Sequence, residues 1–346
     1  MRKYLLYLNK KRLPIYLTFL VALTLILLVW NRPSEVYYLT NPTAKIYGVN
    51  SRVMQTYLIT YGISICLIPF FEFAFKMDKK SANQLYSLPL KREKLYLSHF
   101  ITGYLEVTIP YIIAFFISFV TLLIGKPEVV IYQNQNVAFM VGLLPFLGVL
   151  LLIGLIAYSF EVFFYCQANN VIDGILTVIM ASFVLWPVSY AFLRFAPNDF
   201  TYSICYSMPY LFYSSIYVGE LAMFGENSFF THFNAEKIGL IINIVLGIAC
   251  FVGQYFASKH FKAENAGQRS ESWFCYKILL PVISIAICFQ LLGSIVFAIM
   301  IVGTYLAYVL YKRKFNLGTK TWIIFAITVA LEITAYVIER TVILGY

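Results

Sequence analysis

Charged residues are scarce in this chain, since only 12% of its 346 residues are Asp, Glu, Lys or Arg and 61% are apolar. A soluble domain has about 25% charged and about 45–50% apolar residues, so this composition excludes a water-soluble globule. The 18 Gly and 12 Pro residues are too few for a disordered or fibrous chain. Apolar stretches of about twenty residues without period-two alternation favour helices over a barrel. We therefore predict an all-α, polytopic helical membrane protein.

Residues for nucleotide binding or catalysis are also lacking. The phosphate-loop motif G-x-x-x-x-G-K-[ST] does not occur, so we expect the chain to bind no ATP itself. The three histidines (His99, His232 and His260) lie on different segments, and the six cysteines include no C-x-x-C pair. Neither a metal site, a disulfide framework nor a catalytic triad can be assembled from them. We expect no catalytic residue, no metal and no bound cofactor.

The excess of positive charge indicates membrane topology rather than nucleic-acid binding. There are 26 Lys and Arg residues against 16 Asp and Glu, and most of them lie in short segments between apolar stretches. With the N-terminus in the cytoplasm, 19 of the 26 fall in cytoplasmic segments. The positive-inside rule therefore predicts a multi-pass protein of the cell membrane with a cytoplasmic N-terminus.

Apolar stretches of sufficient length predict eight to nine spans within a single domain, 1–346. Residues 1–12 place Tyr4, Leu5 and Leu8 on one face among basic residues, which predicts a short helix at the membrane surface. Residues 13–260 contain six spans, and 277–346 contain further spans. The six are Leu13–Trp30, 54–75, 100–123, 137–160, 171–193 and 238–257. We divide 278–311 into two spans at 290–294, because basic residues flank both ends, and place a last span at 322–338.

Acidic residues inside spans are candidate functional sites because a charge at the membrane centre is costly. We expect Glu72, Glu106 and Asp173 to reach the cytoplasmic interface, since each lies near a span end. Glu332 lies deeper and is a candidate intramembrane polar site. Two interpretations of Glu332 stay open: a carboxylate that pairs with a neighbouring helix or extends outward, and a role in substrate or proton binding.

The segment between the second and third spans has helix start and stop signals. Ser81 is a candidate N-cap for a helix over 82–86, and Pro89 ends that helix while suiting the first turn of the next. The next helix is expected to continue through Lys91 and Arg92 into the third span. A short helix that ends against a rigid span can transmit a displacement to it.

Three cytoplasmic segments resemble ABC transporter permeases of the ABC-2 type, in a Gram-positive branch. Residues 80–92 resemble the coupling segment with its core Leu-x-Ser-Leu-Pro-[Ile/Leu]-x-Arg, which is matched here by Leu85, Ser87, Leu88, Pro89 and Arg92. Residues 166–170 resemble a second cytoplasmic segment of the family, and 261–267 resemble its basic linker after the sixth span. The likeness covers residues 1 to about 275, whereas 276–346 fit one branch only.

The resemblance implies a permease subunit with a six-span core that exports amphiphilic substrates, such as antimicrobial peptides, lipid-like compounds or drugs. It implies a second permease subunit, identical or distinct, and two cytoplasmic ATPase subunits that hold ATP and Mg²⁺. Membrane lipid would surround the spans, and no nucleic acid is expected. The coupling residues would be Ser81, Leu85, Tyr86, Ser87, Leu88, Pro89, Lys91 and Arg92, with a second contact at Gln167, Asn169 and Asn170. The alternatives are a membrane immunity or sensor protein and a polytopic membrane enzyme, neither of which transports.

Overall fold

The computed structural model describes residues 2–31, 36–41, 44–124, 128–129, 137–139, 143–193, 230–261, 263–268, 275–288, 294–312 and 315–343. The described part of the chain is mainly helical. Its α-helices are α1 Arg2–Lys11, α2 Leu13–Trp30, α3 Ser51–Glu72, α4 Lys79–Tyr86, α5 Arg92–Ile124, α6 Leu143–Cys166, α7 Val171–Leu193, α8 Phe230–His260, α9 Leu280–Cys288, α10 Ser294–Lys312 and α11 Thr319–Ile338. The helix predicted at 1–12 corresponds to α1, while the break predicted at 290–294 lies, apart from Ser294, outside the described residues.

Five segments in the described part of the chain are long and apolar enough to cross a membrane. They are Leu13–Trp30, Arg52–Glu72, Arg92–Ile124, Phe146–Cys166 and Thr319–Thr341. Their outward faces are apolar, as Leu25 on α2, Ile63 on α3 and Val120 on α5 are each 48% exposed or more. Such faces suit lipid rather than water. The helices are those of a multi-pass membrane protein, while the count of eight to nine spans and the single domain stay predictions.

Helix α5 lies at the centre of the bundle and contacts α2, α3, α6 and α8. Its 33 residues extend about 50 Å, well beyond the about 30 Å of a hydrocarbon core. The prediction that the next helix continues into the third span is confirmed from Arg92 onward, whereas Lys91, predicted to be part of it, precedes the helix. Buried tyrosines fill the contact with α3, where the hydroxyl of Tyr111 donates to the carbonyl of Tyr57 over 2.9 Å. Where no water is present, buried hydroxyl and carbonyl groups such as these must form their hydrogen bonds within the protein.

A four-stranded sheet joins the helices at one end of the bundle. The strands are β1 Val36–Asn41, β2 Ala44–Asn50, β3 Glu128–Val129 and β4 Val137–Phe139. The order is β3-β1-β2-β4, with β1 and β2 antiparallel and Val36 opposite Val49. Strand β3 runs parallel to β1, and β4 runs antiparallel to β2. The all-α prediction is therefore wrong for the connections between α2 and α3 and between α5 and α6.

The sheet also shifts the predicted fourth span. We predicted a helix over 137–160, but residues Val137–Phe139 pair with β2 and α6 covers Leu143–Cys166. The backbone at 137–139 forms its hydrogen bonds across strands, so the helix begins later and ends six residues later, at Cys166. We call the end with these strands the sheet end and the end with α4 the α4 end.

The remaining helices extend the bundle toward the C-terminus. Helix α8 packs along α6, and α9 packs between α7 and α11, while α10 contacts both α9 and α11. A small second core forms around Tyr308, Val309 and Leu317. Helix α8 begins at Phe230, eight residues before the predicted sixth span at 238–257, and residues 194–229 lie outside the described ranges.

The close approach of α3 and α6 generates a first prediction. A Cβ atom at Gly154 of α6 would overlap the ring of Tyr61, which is fully buried on α3, whereas a Cβ atom at Gly148 of α6 meets nothing within 4 Å. We expect Gly154→Ala to lower the free energy of unfolding by about 1–3 kcal/mol through overpacking. Gly148→Ala is the matched control and should be neutral or slightly stabilising. Thermal unfolding of the detergent-purified chain measures both, and equal midpoints would contradict this packing.

Candidate functional site

Helix α4 begins at a side-chain cap that differs from the predicted one. The N-cap is Asp78, whose carboxylate accepts hydrogen bonds from the backbone N–H of Ser81 at 3.0 Å and from its hydroxyl at 2.5 Å. The helix therefore covers Lys79–Tyr86, and the prediction of Ser81 as N-cap of a helix over 82–86 is wrong. Because Ser81 donates both bonds to the ionised carboxylate, the pKa of Asp78 lies below its usual value.

The segment from α4 to α5 is a compact turn. The hydroxyl of Ser87 donates to the carbonyl of Gln84 over 2.8 Å, and the N–H of Leu90 donates to the carbonyl of Leu88 over 2.7 Å. Helix α5 begins at Arg92, so Pro89 lies before its first turn rather than in it. Within this stretch Leu85, Tyr86, Leu88 and Leu90 are half-buried, whereas Ser87, Pro89, Lys91 and Arg92 are exposed. The predicted coupling residues thus form one continuous, partly apolar surface.

Phe261, which follows α8, holds this surface against the bundle. Its ring centroid lies 5.7 Å from that of Tyr86, and the ammonium of Lys76 lies 4.4 Å from the Phe261 ring. The guanidinium of Arg92 donates to the carbonyl of Phe261 and lies 5.4 Å from the Tyr86 ring. Cation–π contacts of this kind stabilise by about 0.5–1 kcal/mol at exposed positions. Because its ring packs on Phe261, Tyr86 is an internal anchor as well as a surface residue, and burial raises the pKa of its hydroxyl.

The second predicted contact segment lies in the same region. The carbonyl of Asn169 accepts a hydrogen bond of 2.8 Å from the N–H of Gly267, whose φ of +74° favours glycine. The side chain of Asn170 accepts from the N–H of Ile172 over 3.2 Å at the start of α7, and Gln167 donates to Gln254 of α8 over 3.4 Å. The three segments that carry the family resemblance therefore meet at the α4 end.

A buried ionic network at this end was missed by sequence reasoning. Arg12, between α1 and α2, contacts the carboxylates of Glu72 on α3 and Glu106 on α5, the latter at 3.2 Å. His99 Nδ1 lies 2.6 Å from Glu72 Oε1, and the hydroxyl of Tyr4 lies 3.1 Å from His99 Nε2. A neutral imidazole that donates from Nδ1 and accepts from Tyr4 satisfies both contacts. Burial and the negative charge of Glu72 raise the pKa of Tyr4 to about 12.

The acidic residues near span ends are buried within the protein. Glu72 and Glu106 are 0% exposed and Asp173 is 6% exposed, while their expected position at the cytoplasmic interface stays a prediction. Glu72 and Glu106 are held inside because Arg12 provides their countercharge there. The signal in the sequence was a basic residue at the junction of α1 and α2 together with carboxylates in two later spans. Arg12 and Glu106 are 94 residues apart in the sequence, so no local pattern could predict that they pair.

Glu332 lies away from this region, on α11. It is fully buried, and Thr304 of α10 donates a hydrogen bond of 2.9 Å to its Oε1 atom. The contact with a neighbouring helix, which belongs to the first interpretation, is observed, and the role in substrate or proton binding stays a prediction. Across the described ranges, no three His, Cys, Asp or Glu side chains gather to hold a metal ion.

The ionic network generates a second prediction. Arg12→Gln leaves two buried carboxylates without a countercharge, and breaking such a pair costs about 3–5 kcal/mol. We expect a markedly lower unfolding midpoint, measured with a thiol-reactive fluorophore that reports exposure of the buried Cys166 and Cys250. Lys11→Gln removes the same charge from an exposed neighbour and should change stability by less than about 0.5 kcal/mol. Similar midpoints for the two variants would argue against a buried pair.

Comparison with family models, with curated proteins and with solved structures gives no match for this chain. Its function is therefore inferred from the contacts within the chain and from the resemblance of three short segments.

Proposed function

We propose that this chain is the permease subunit of an ATP-binding-cassette exporter in the cell membrane. It moves amphiphilic substrates outward, is driven by separate ATPase subunits that hold ATP and Mg²⁺, and pairs with a second permease subunit. The observation that supports this most directly is the α4 surface. A short helix with the family core motif is fixed at both ends and leaves its connecting turn exposed.

The geometry of α4 suits mechanical coupling. Its first turn is fixed by Asp78, and its last residue, Tyr86, packs on Phe261. The 3-10 turn Ala74–Met77 connects it to α3, and only the segment 87–91 separates it from α5. A rigid element so close to two long helices passes displacement to both of them. The half-buried side chain of Leu85 and the exposed Lys91 provide an apolar contact and a positive charge for a docking partner.

The proposed mechanism follows from linkage between two sites. ATP closes the dimer of ATPase subunits, and closure changes the groove in which residues 85–89 would lie. If that groove binds α4 more tightly in one arrangement of the permease, ATP shifts the population toward that arrangement. The ionic network lies directly behind this surface, because Glu72 ends α3 just before the 3-10 turn. Displacement of α4 would therefore reach α1, α2, α3 and α5 together.

Orientation and substrate class are parts of the same proposal. The proposal needs the α4 end in the cytoplasm, which agrees with the 19 of 26 basic residues assigned to that side. The carboxylates of the ionic network, Glu72 and Glu106, are 0% exposed and contact Arg12 rather than an open hydrophilic path. Apolar or amphiphilic substrates fit such spans better than small ions do.

A third prediction concerns Leu85. We expect Leu85→Asp to abolish substrate-stimulated ATP hydrolysis in the reconstituted complex, because a charge replaces the apolar docking contact. Leu85→Met should retain most of that stimulation, since it conserves an apolar side chain of similar volume. The rate of phosphate release with and without substrate is the measurement.

A matched control tests whether any new charge at this end has the same effect. Phe315 is 78% exposed and lies between α10 and α11, outside the α4 surface. Phe315→Asp should leave stimulated hydrolysis unchanged. Normal stimulation in Leu85→Asp, with normal membrane insertion, would remove α4 from the coupling pathway.

A fourth prediction concerns the partner and separates transport from the alternatives. Affinity purification of the full chain from its native membrane should recover an ATPase of about 25–35 kDa, the size of one to two ordinary domains. Recovery should fall when Leu85→Asp is used as bait and persist with Phe315→Asp. Purification of the chain without any ATPase would favour an immunity or sensor protein, or an enzyme that acts alone.

A further inference from the structure

The C-terminal helices enclose a carboxyl group that the proposed transport cycle does not use. Glu332 lies on α11 and is 0% exposed, on the same face as the buried Thr328 and Ala335. This face turns toward α9 and α10, which contact α11 and each other. Thr304 of α10 and Ser284 of α9 approach Glu332 from the other two helices. The carboxyl group therefore lies at the centre of a three-helix contact, within a segment able to cross a membrane.

The hydrogen bonds around Glu332 leave an excess of acceptors. Thr304 donates its hydroxyl proton to Glu332 Oε1 over 2.9 Å, whereas Glu332 Oε2 is buried without any hydrogen-bond partner. The hydroxyl of Ser284 approaches Glu332 as well, but it also lies within hydrogen-bond distance of the Pro281 carbonyl, at 3.0 Å. Two hydroxyl protons therefore serve more acceptor oxygens than they can satisfy, and Glu332 Oε2 is the buried oxygen that stays without a partner.

No countercharge for Glu332 comes from the described helices. The titratable side chains that interact with Glu332 are Cys288 of α9 and Tyr308 of α10, and neither is cationic. The Tyr308 hydroxyl is buried and makes no hydrogen bond, so it does not reach Oε2. Glu72 and Glu106 differ, because Arg12 pairs with both. A bare carboxylate in such a place is strongly disfavoured, and it must bind a proton or another cation.

We propose that Glu332, Thr304 and Ser284 form an intramembrane binding site for a monovalent cation, either H⁺ or Na⁺. The three oxygen-bearing side chains come from three helices, and carboxylate and hydroxyl oxygens are ligands for hard cations. Occupation of the site joins α9, α10 and α11 through one ion. The inference goes beyond the proposed export function and does not depend on it, because it needs neither the α4 surface nor an ATPase.

Dicyclohexylcarbodiimide tests this site directly in the purified full chain in lipid nanodiscs. The reagent is apolar, and a protonated carboxyl group adds across its C=N bond to form an O-acylisourea, which rearranges to a stable N-acylurea. No other reactant is needed, and the carboxyl proton ends on the urea nitrogen. The modified residue is located by mass spectrometry of the peptides, with labelling followed over a pH series, with NaCl or with choline chloride.

Each outcome either supports or overturns the proposal. Labelling of Glu332 that declines as pH rises and is equal in both salts identifies a proton site. Labelling that NaCl suppresses and choline chloride does not suppress identifies a Na⁺ site with which the proton competes. Absence of labelling at Glu332 at every pH, in choline chloride as in NaCl, would overturn it. Asp78, whose exposed carboxylate accepts two hydrogen bonds from Ser81, is the internal comparison and should stay unmodified at neutral pH.

Two substitutions of Thr304 keep the test independent of Glu332 variants that fail to fold. Thr304→Val removes the donor that stabilises the ionised carboxylate, so the protonated form persists and half-maximal labelling moves up by about one pH unit, a tenfold change. At a Na⁺ site, the same variant should need about tenfold more NaCl for protection. Thr304→Ser retains the hydroxyl and should behave as the unmodified chain. Identical labelling of all three chains would exclude Thr304 from the site, and Glu332→Gln verifies the assigned peptide.

Discussion

A charge within the apolar part of this molecule must have its partner there as well, and the contact of Arg12 with Glu72 and Glu106 shows how this is achieved. Arg12 is the residue between α1 and α2, so one guanidinium joins the start of the chain to α3 and α5. His99 and Tyr4 extend the connection to α1. Such a network is costly to bury and more costly to break, and it therefore favours one arrangement of these helices.

The α4 surface depends on that arrangement. Glu72 is the last residue of α3, and the turn that follows leads directly into α4. On the other side, Phe261 receives Tyr86, Lys76 and the guanidinium of Arg92. Helix α4 is too short to be stable alone. Its conformation is maintained by the Asp78 cap and by these contacts, which explains why a small helix can present a defined surface.

The sequence predicted the helices better than their connections. Long apolar stretches placed α2, α3, α5 and α7 closely, because span length and apolar composition are local properties. The sheet was missed, since strands as short as β3 and β4 give little local pattern and form only when β1 and β2 are beside them. The start of α4 was misplaced because both Asp78 and Ser81 are good N-caps, and only the backbone geometry distinguishes them.

The candidate site could be predicted only in part, because the sequence shows local patterns but not tertiary contacts. A local motif identified residues 85–92, whereas the contact of Tyr86 with Phe261 joins positions far apart in the chain. The pairing of Arg12 with two distant carboxylates likewise depends on tertiary structure. Residue types indicated which groups needed partners, as for Glu332, but the identity of the partner, Thr304, came only from the packing of α10 on α11.

The sheet has a consequence for how the bundle can rearrange. Strands β1 and β2 connect α2 to α3, strands β3 and β4 connect α5 to α6, and the ladder ties both connections together. Separating these four helices at the sheet end would break backbone hydrogen bonds between strands. At the α4 end, α3 and α5 are connected through α4, and Arg12 contacts Glu72 and Glu106 through its side chain. A rearrangement that keeps the strands paired would therefore move these helices least at the sheet end.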